Sequence, residues 1–205
     1  MEIGDWLISN LPLSIMAQKI GSKLLWQQGD GWRLRLDTLQ LPDGRTTQKG
    51  AIEHPGAVVL VPLRPSPRHP SRSGPEVLML RQYRHVLDTV ILELPAGTRG
   101  WDEPWLTCAQ RELREETGHR AEVFTSLGQI WPAPGLSDEL MQLYLAENLS
   151  PAPLPGDEDE AIEVVAMPLA ELETMAWDGR LLDGKSVVAI LRTAHLLAQR
   201  KNGAI

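Results

Sequence analysis

The 205-residue sequence predicts a mixed α/β (α+β) domain, and three observations carry that prediction. Strand-like segments stand before, between and after single helices, an order that interleaves the two element types. "GAVVLVPL" (56–63) is an unbroken apolar, β-branched run, the pattern of a strand covered on both faces. "WLTCAQRELREETG" (105–118) instead repeats apolar residues at helical spacing and stops on a glycine.

Residues 1 to about 20 alternate apolar and polar groups without strong caps and read as an arm or short helix. "KLLWQQGDGWRLRLDTLQLPDGRTTQKGAIEH" (23–54) reads as strands: "WRLRLDTLQL" (32–41) alternates with period two, and "LPDGRTT" (41–47) carries the Pro-Asp-Gly signature of a hairpin turn. After the buried strand, the Pro- and Ser-rich "RPSPRHPSRSGP" (64–75) is an exposed loop, and "EVLMLRQYR" (76–84) is the strand that pairs back across it. "TVILELPAG" (89–97) is a further strand. In the helix that follows, Asp102 or Glu103 is the expected N-cap and Pro104 falls in the first turn, where its missing N–H costs nothing. Leu106, Ala109, Leu113 and Thr117 form the expected core stripe, and Gly118 the C-terminal stop. Strands are expected in "EVFTSLGQIW" (122–131) and "ELMQLYLAENL" (139–149), an acidic loop in "PAPLPGDEDE" (151–160), and two closing helices at 168–181 and 184–200.

A net charge of −7 gives no sign of the broad basic surface that nucleic-acid binding needs. A small anionic substrate must then have its charge met locally, by a metal or a few arginines. The single cysteine, Cys108, permits no intramolecular disulfide and suits a reducing compartment. Mid-helix and without a nearby histidine, it reads as a packing residue rather than a nucleophile. The N-terminus lacks the basic region of a signal peptide, and no apolar run approaches the roughly 18 residues of a membrane span. A cytoplasmic protein is expected.

The stretch "RELREET" (111–117) places Glu112, Glu115 and Glu116 on one helix, where they repel one another unless something positive lies among them. At 100° per residue the three fall within an arc of about 100° beside the apolar stripe. Carboxylates so placed suit a hard cation, Mg²⁺ or Mn²⁺. Arg111 stands i,i+4 from Glu115, where a guanidinium orients that carboxylate. Gly97 is expected to let the preceding loop turn back so that the Ala96 carbonyl faces the metal. A solvated acidic face explains the charges alone, but not the glycines and the arginine in register with them.

Taken whole, "GTRGWDEPWLTCAQRELREETGH" (97–119) has Gly97, five residues, Glu103, seven residues, Arg111-Glu112-Leu113, one residue, Glu115-Glu116, one residue and Gly118. It resembles the signature of the Nudix hydrolases. Its seven polar and glycine positions, leaving Leu113 aside, at about one in twenty each give a chance agreement of roughly 10⁻⁹. The position after Gly118, usually apolar, is His119, for which altered packing is expected rather than a ligand role. The resemblance implies an α/β/α sandwich with a mixed sheet, and metal-dependent cleavage of a nucleoside diphosphate linked to another moiety. It also divides the chain into an N-terminal β-rich segment (1–52), serving dimerisation and as a substrate lid, and a hydrolase domain (53–205).

Beyond that signature, "LRQYRHVLDTVILELPAG", "WPAPGLSDELMQLYLAENL" and "GRLLDGKSVVAILR" look like the ADP-ribose pyrophosphatase subfamily, whose members release AMP and ribose 5-phosphate and are typically homodimers through their N-terminal strands. By position, Arg84 would contact the diphosphate, its alternative being a surface arginine at a strand end. Glu93 would support the phosphate or its waters, or be a structural carboxylate. Glu139 matches the loop glutamate proposed as general base, with Asp138 beside it as the fallback. Trp32 aligns with an aromatic that stacks on adenine, while the second stacking position falls in "RTTQK", which has no aromatic. His54 reads as structural rather than ligand-binding. Within the class, GDP-mannose, another ADP-sugar or a dinucleotide would be rival substrates; a "SQPWPFP" element of the NADH-cleaving relatives is absent. A non-catalytic regulatory module of the same fold, which usually loses the signature glutamates, is the rival of another class, ahead of an inert dimeric scaffold.

Overall fold

The computed structural model describes residues 16–29, 31–66, 74–156 and 161–203. The expected N-terminal arm lies mostly outside these residues, as do much of the Pro- and Ser-rich loop and part of the acidic loop. Two compact units divide the chain: Met1–His54 with Ala133–Asp138, and Pro55–Pro132 with Glu139–Ile205.

The first unit is an antiparallel sheet of β1 (Gln18–Gln27), β2 (Arg33–Gln40) and β3 (Thr46–Glu53) in that order. Strand β1 begins inside the stretch expected as an arm or short helix: pairing with β2 over its length decides its conformation, because neither helical spacing nor a cap competes. The β2–β3 turn is the predicted hairpin. Leu41 and Arg45 close it through an N–H to carbonyl bond of 2.8 Å, and Gly44 takes a φ of 84°. Residues 133–138 join this unit by backbone bonds from Ile52 N–H to the Leu136 carbonyl (2.9 Å) and from Asp138 N–H to the Ile52 carbonyl (3.1 Å).

The second unit contains β4 (Ala57–Pro65), β5 (Pro75–Arg84), β6 (Thr89–Glu93), β7 (Ala96–Thr98), β8 (His119–Ile130), β9 (Met141–Pro151) and β10 (Ile162–Pro168), with α1 (Trp105–Thr117), α2 (Leu169–Asp178) and α3 (Gly184–Lys201). The sheet runs β10-β5-β4-β9-β8, with β6 on β5 and β7 on β4. Only the β4–β9 pairing is parallel among its described ladders, so the sheet is mixed. Val58, Val59, Leu60 and Val61 are fully buried, and their alternation sorts them between two cores. Val59 and Val61 pack with Leu172 of α2 and Ile190 of α3; Val58 and Leu60 pack with Cys108, Ala109 and Leu113 of α1. Helices therefore cover both faces, the α/β/α sandwich. Each of these valines and leucines contributes roughly 1.5–3 kcal/mol by leaving water.

Four local expectations change. "TVILELPAG" is two strands, because Pro95 lacks the N–H to continue a ladder and the chain crosses from β5 to β4 there. Strand β10 was not foreseen: it is a short edge strand with outward side chains such as Val164, 42% exposed, so its pattern is weak. The N-cap of α1 is Pro104 without a side-chain bond, while the Glu103 carboxylate accepts from the Gly100 N–H and from Arg111. Leu106 is 54% exposed, and Trp105 takes its place against the core. Gly118, with φ 71°, ends the helix as expected, its N–H donating to the Arg114 carbonyl.

The start of α1 is held by Arg99. Its guanidinium donates to the Pro55 carbonyl (2.7 and 3.0 Å) and the Glu103 carbonyl (2.8 Å), and lies 4.5 Å over the Trp105 ring. Gly56 faces that ring with φ 102°, and a Cβ there would stand 2.5 Å from Trp105 Cη2. Both the conformation and the space exclude a side chain. Gly56→Ala is expected to destabilise the fold by about 3 kcal/mol, read as a lower denaturant midpoint in equilibrium unfolding; an unchanged midpoint would contradict this packing.

Candidate active site

The positive charge required among the glutamates of α1 is the guanidinium of Arg111. Its Nη1 donates to Glu112 Oε1 at 2.7 Å and to Glu115 Oε2 at 2.9 Å. Its Nε and Nη2 form a fork on Glu103, both at 3.0 Å, and Nη2 also reaches the Thr98 carbonyl at 3.3 Å. The i,i+4 contact with Glu115 was expected from the sequence; the fork on Glu103 was not, although the fixed spacing of Glu103 and Arg111 was its signal. These bonds, that to Glu103 first, raise the Arg111 pKa above its ordinary value, and the same bond holds Glu103 below the usual glutamate range.

Glu112 and Glu116 are buried, at 8% and 9% exposure, which a carboxylate accepts only with partners. Glu116 Oε2 accepts the Ala96 N–H at 2.9 Å, so the contact between that loop and the helix runs through the Ala96 amide. The Glu112 carboxylate lies directly against Gly97, where a Cβ would come within 1.9 Å of Glu112 Cδ. The need for glycine at 97 is thus steric rather than conformational, since Gly97 is not among the residues of positive φ. Cys108 is buried beside this cluster. Burial, then Glu112 and Glu103, push its thiol pKa far up, which opposes thiolate formation and fits a packing residue.

Among the described residues no three His, Cys, Asp or Glu side chains are gathered closely enough to hold a metal ion as they stand. Arg111 lies between Glu112 and Glu115 and separates them. The chemistry of the donors nevertheless fits a hard divalent cation: carboxylates on one helix, with one oxygen each of Glu112 and Glu115 taken by Arg111 and one of Glu116 by an amide.

A second cluster joins Arg84, the last residue of β5, to Glu93, the last residue of β6. Arg84 grips Glu93 with two bonds of 2.8 Å, and Glu93 is 1% exposed. Lys185 of α3 also donates to Glu93, at 2.5 Å. Glu139 is half-buried; burial raises its pKa above the ordinary glutamate value, and the positive charge of Lys185 opposes that shift.

Of the other candidates, Asp138, His54 and Trp32 belong to the first unit and His119 to the second. Asp138 accepts the His54 N–H at 2.8 Å and meets Arg35 at 3.3 Å, both structural contacts. The ring of His54 is held below its ordinary pKa by burial. His119 opens β8, its Nδ1 2.7 Å from the Thr117 carbonyl, a packing contact. Trp32 has Trp26 as neighbour, ring centres 5.1 Å apart and planes at 54°. The two rings face each other across the β1–β2 turn, where Gln28 N–H bonds the Trp32 carbonyl; "RTTQK" contributes no aromatic.

A family model described as the NUDIX domain matches residues 54–201. Over 160 residues, 77% of this chain, the sequence is 32% identical both to the "Methanol dehydrogenase activator" of Bacillus methanolicus and to the "ADP-ribose pyrophosphatase" of Bacillus subtilis (strain 168), covering 82% of each. It is 30% identical over 192 residues, 87% of this chain and 95% of the other, to a "GDP-mannose pyrophosphatase" of Yersinia enterocolitica. The fold matches a solved structure titled "Crystal structure of ADP compounds hydrolase" with a TM-score of 0.73 at 22% identity, over 90% of this chain and 95% of that one. With a signature helix that keeps each fixed glutamate, the arginine among them and the glycine beneath them, the chain belongs to the NUDIX domain family.

Proposed function

We propose that the protein hydrolyses the diphosphate bridge of ADP-ribose, giving AMP and ribose 5-phosphate, with Mg²⁺ or Mn²⁺ as cofactor. The observation that carries this reading is the acidic edge of α1 against β7, where Arg111 holds Glu112 and Glu115, Gly97 makes room for Glu112 and the Ala96 amide holds Glu116. Glu112, Glu115 and Glu116, with the Ala96 carbonyl, would hold the cation. When bound, it neutralises phosphate charge and lowers the pKa of the attacking water. Arg111 sets the orientation of Glu112 and Glu115 and takes part in no proton transfer. Arg84, held by Glu93, binds a diphosphate oxygen. Glu139 takes the proton of the attacking water, and its raised pKa makes it a stronger base than an exposed glutamate. Trp32, with Trp26 beside it, stacks on the base.

The same reading gives residues 1–52 a role in dimerisation and substrate covering, and residues 53–205 the chemistry. Ile20, Leu24, Leu25 and Trp26 on β1 are each about half exposed (49–55%), and a homodimer through these strands would cover them. A cytoplasmic location accords with the lone buried cysteine. A second reading, GDP-mannose as substrate, is favoured by the match across nearly the full length of the Yersinia relative.

Purified protein with Mg²⁺ and a panel including ADP-ribose, GDP-mannose and other nucleoside diphosphate sugars is expected to turn over ADP-ribose with the highest kcat/KM; preference for GDP-mannose would move the assignment to that sugar. Chelation should abolish turnover and added Mg²⁺ restore it. Glu116→Gln is expected to lower kcat by about 10³-fold with an unchanged circular dichroism spectrum, and full activity in that variant would reject the assignment of the cation ligands. Below the pKa of Glu139 the base is protonated, so kcat/KM should climb as pH rises through a value above that of an ordinary glutamate. Glu139→Gln should lose that limb and about a hundredfold in rate, while an unaltered pH profile would remove Glu139 as base.

A further inference from the structure

The stretch "DGKS" (183–186) has no part in the steps above, yet its side chains tie α3 to the end of β6. Asp183, the N-cap of α3, accepts through Oδ2 from the Ser186 N–H (3.1 Å), the Ser186 hydroxyl (2.5 Å) and Lys185 Nζ (3.0 Å). Ser186 Oγ accepts in turn from the Leu94 N–H at 2.8 Å. Lys185, its side chain 10% exposed, spans to Glu93 Oε2, the oxygen that also accepts Arg84 Nη2. One continuous network thus runs from the helix cap, through an ammonium and a buried carboxylate, to the guanidinium.

We propose that Lys185 is a positioning residue for substrate binding: by sharing the Glu93 carboxylate with Arg84, it fixes the plane of that carboxylate and so the direction in which Arg84 presents its guanidinium. This rests on the assignment of Arg84 to the diphosphate made above. A carboxylate held on both oxygens by one arginine can still rock with it as a unit. The third donor, anchored on the cap of a different element, ties the ion pair to α3. Charge supports the arrangement: two cations, Arg84 and Lys185, meet two anions, Glu93 and Asp183, so the buried group is balanced internally. Glu139 also lies within the field of Lys185, whose charge favours its ionised form against burial. Arg84, at 38% side-chain exposure, is the member of the network best placed to meet a ligand from solvent.

The test is a double-mutant cycle on Arg84 and Lys185, read as KM and kcat for ADP-ribose and as the Kd of inorganic pyrophosphate in the presence of Mg²⁺. Lys185→Met is expected to raise KM and the pyrophosphate Kd about tenfold, with a smaller change in kcat and no change in the Mg²⁺ concentration for half-maximal rate. In an Arg84→Met background the same change should add less than about twofold, and Lys185→Arg should restore most of the affinity. A helix tether with no positioning role would lower Tm while leaving KM and Kd unmoved; that result, or an equal effect in both backgrounds, overturns the proposal. Should Lys185→Met not fold, Lys185→Gln, one atom shorter, uncharged and polar, enters the same cycle with the same expected outcomes. If the wild type fails to turn over ADP-ribose, the substrate assignment falls. The pyrophosphate cycle then still decides on Lys185, by coupling to Arg84 or its lack.

Discussion

The arrangement of α1 depends on one guanidinium placed among carboxylates that would otherwise repel one another. Arg111 has donors in a rigid fork, and three glutamates use them: Glu103 on one edge, Glu112 and Glu115 on another. Lysine, a single point donor on a flexible stem, has no equivalent. Because Glu103 precedes the helix and Glu115 lies in its last turn, the same side chain that settles the charges also fastens the entering loop to the helix body. Geometry and electrostatics therefore share one cause.

What Arg111 does for charge, the backbone does for space. Gly97 makes room for the Glu112 carboxylate and the Ala96 amide holds Glu116, so β7 is the floor on which the acidic edge rests. Strand β7 is three residues long and is kept in place by its ladder to β4. The site is thus referred directly to the most buried strand of the sheet, which gives its side chains little freedom to wander. Arg99 and Gly56 extend the same logic to the start of the helix.

The sequence made legible whatever a local pattern encodes. The unbroken run of β4, the hairpin turn, the glycine stop of α1 and the spacing of its glutamates each follow from a few neighbouring residues. Features set by distant partners were not legible. Leu106 and Trp105 are both apolar, and which of them turns inward depends on Gly56 and Arg99, about fifty and six residues away. Gly97 was readable as a required glycine, but for conformation, when the reason is a carboxylate fifteen residues on. Glu93 stood between a ligand role and a structural one, and it is Lys185, contributed by the last helix, that places it within a network. Strand β10 escaped because edge strands are held by one ladder and need little apolar alternation to form.

The alternation along β4 has a consequence for how the second unit holds together. Neighbouring residues of one strand belong to different cores, Val58 and Leu60 to one, Val59 and Val61 to the other. A slip of a single position would exchange both linings at once, so neither core tolerates the error alone. The two halves of the sandwich share this wall, and loosening one withdraws support from the other. Melting of this unit is then a joint event, and the acidic helix edge persists as long as the helices on the far face stay packed.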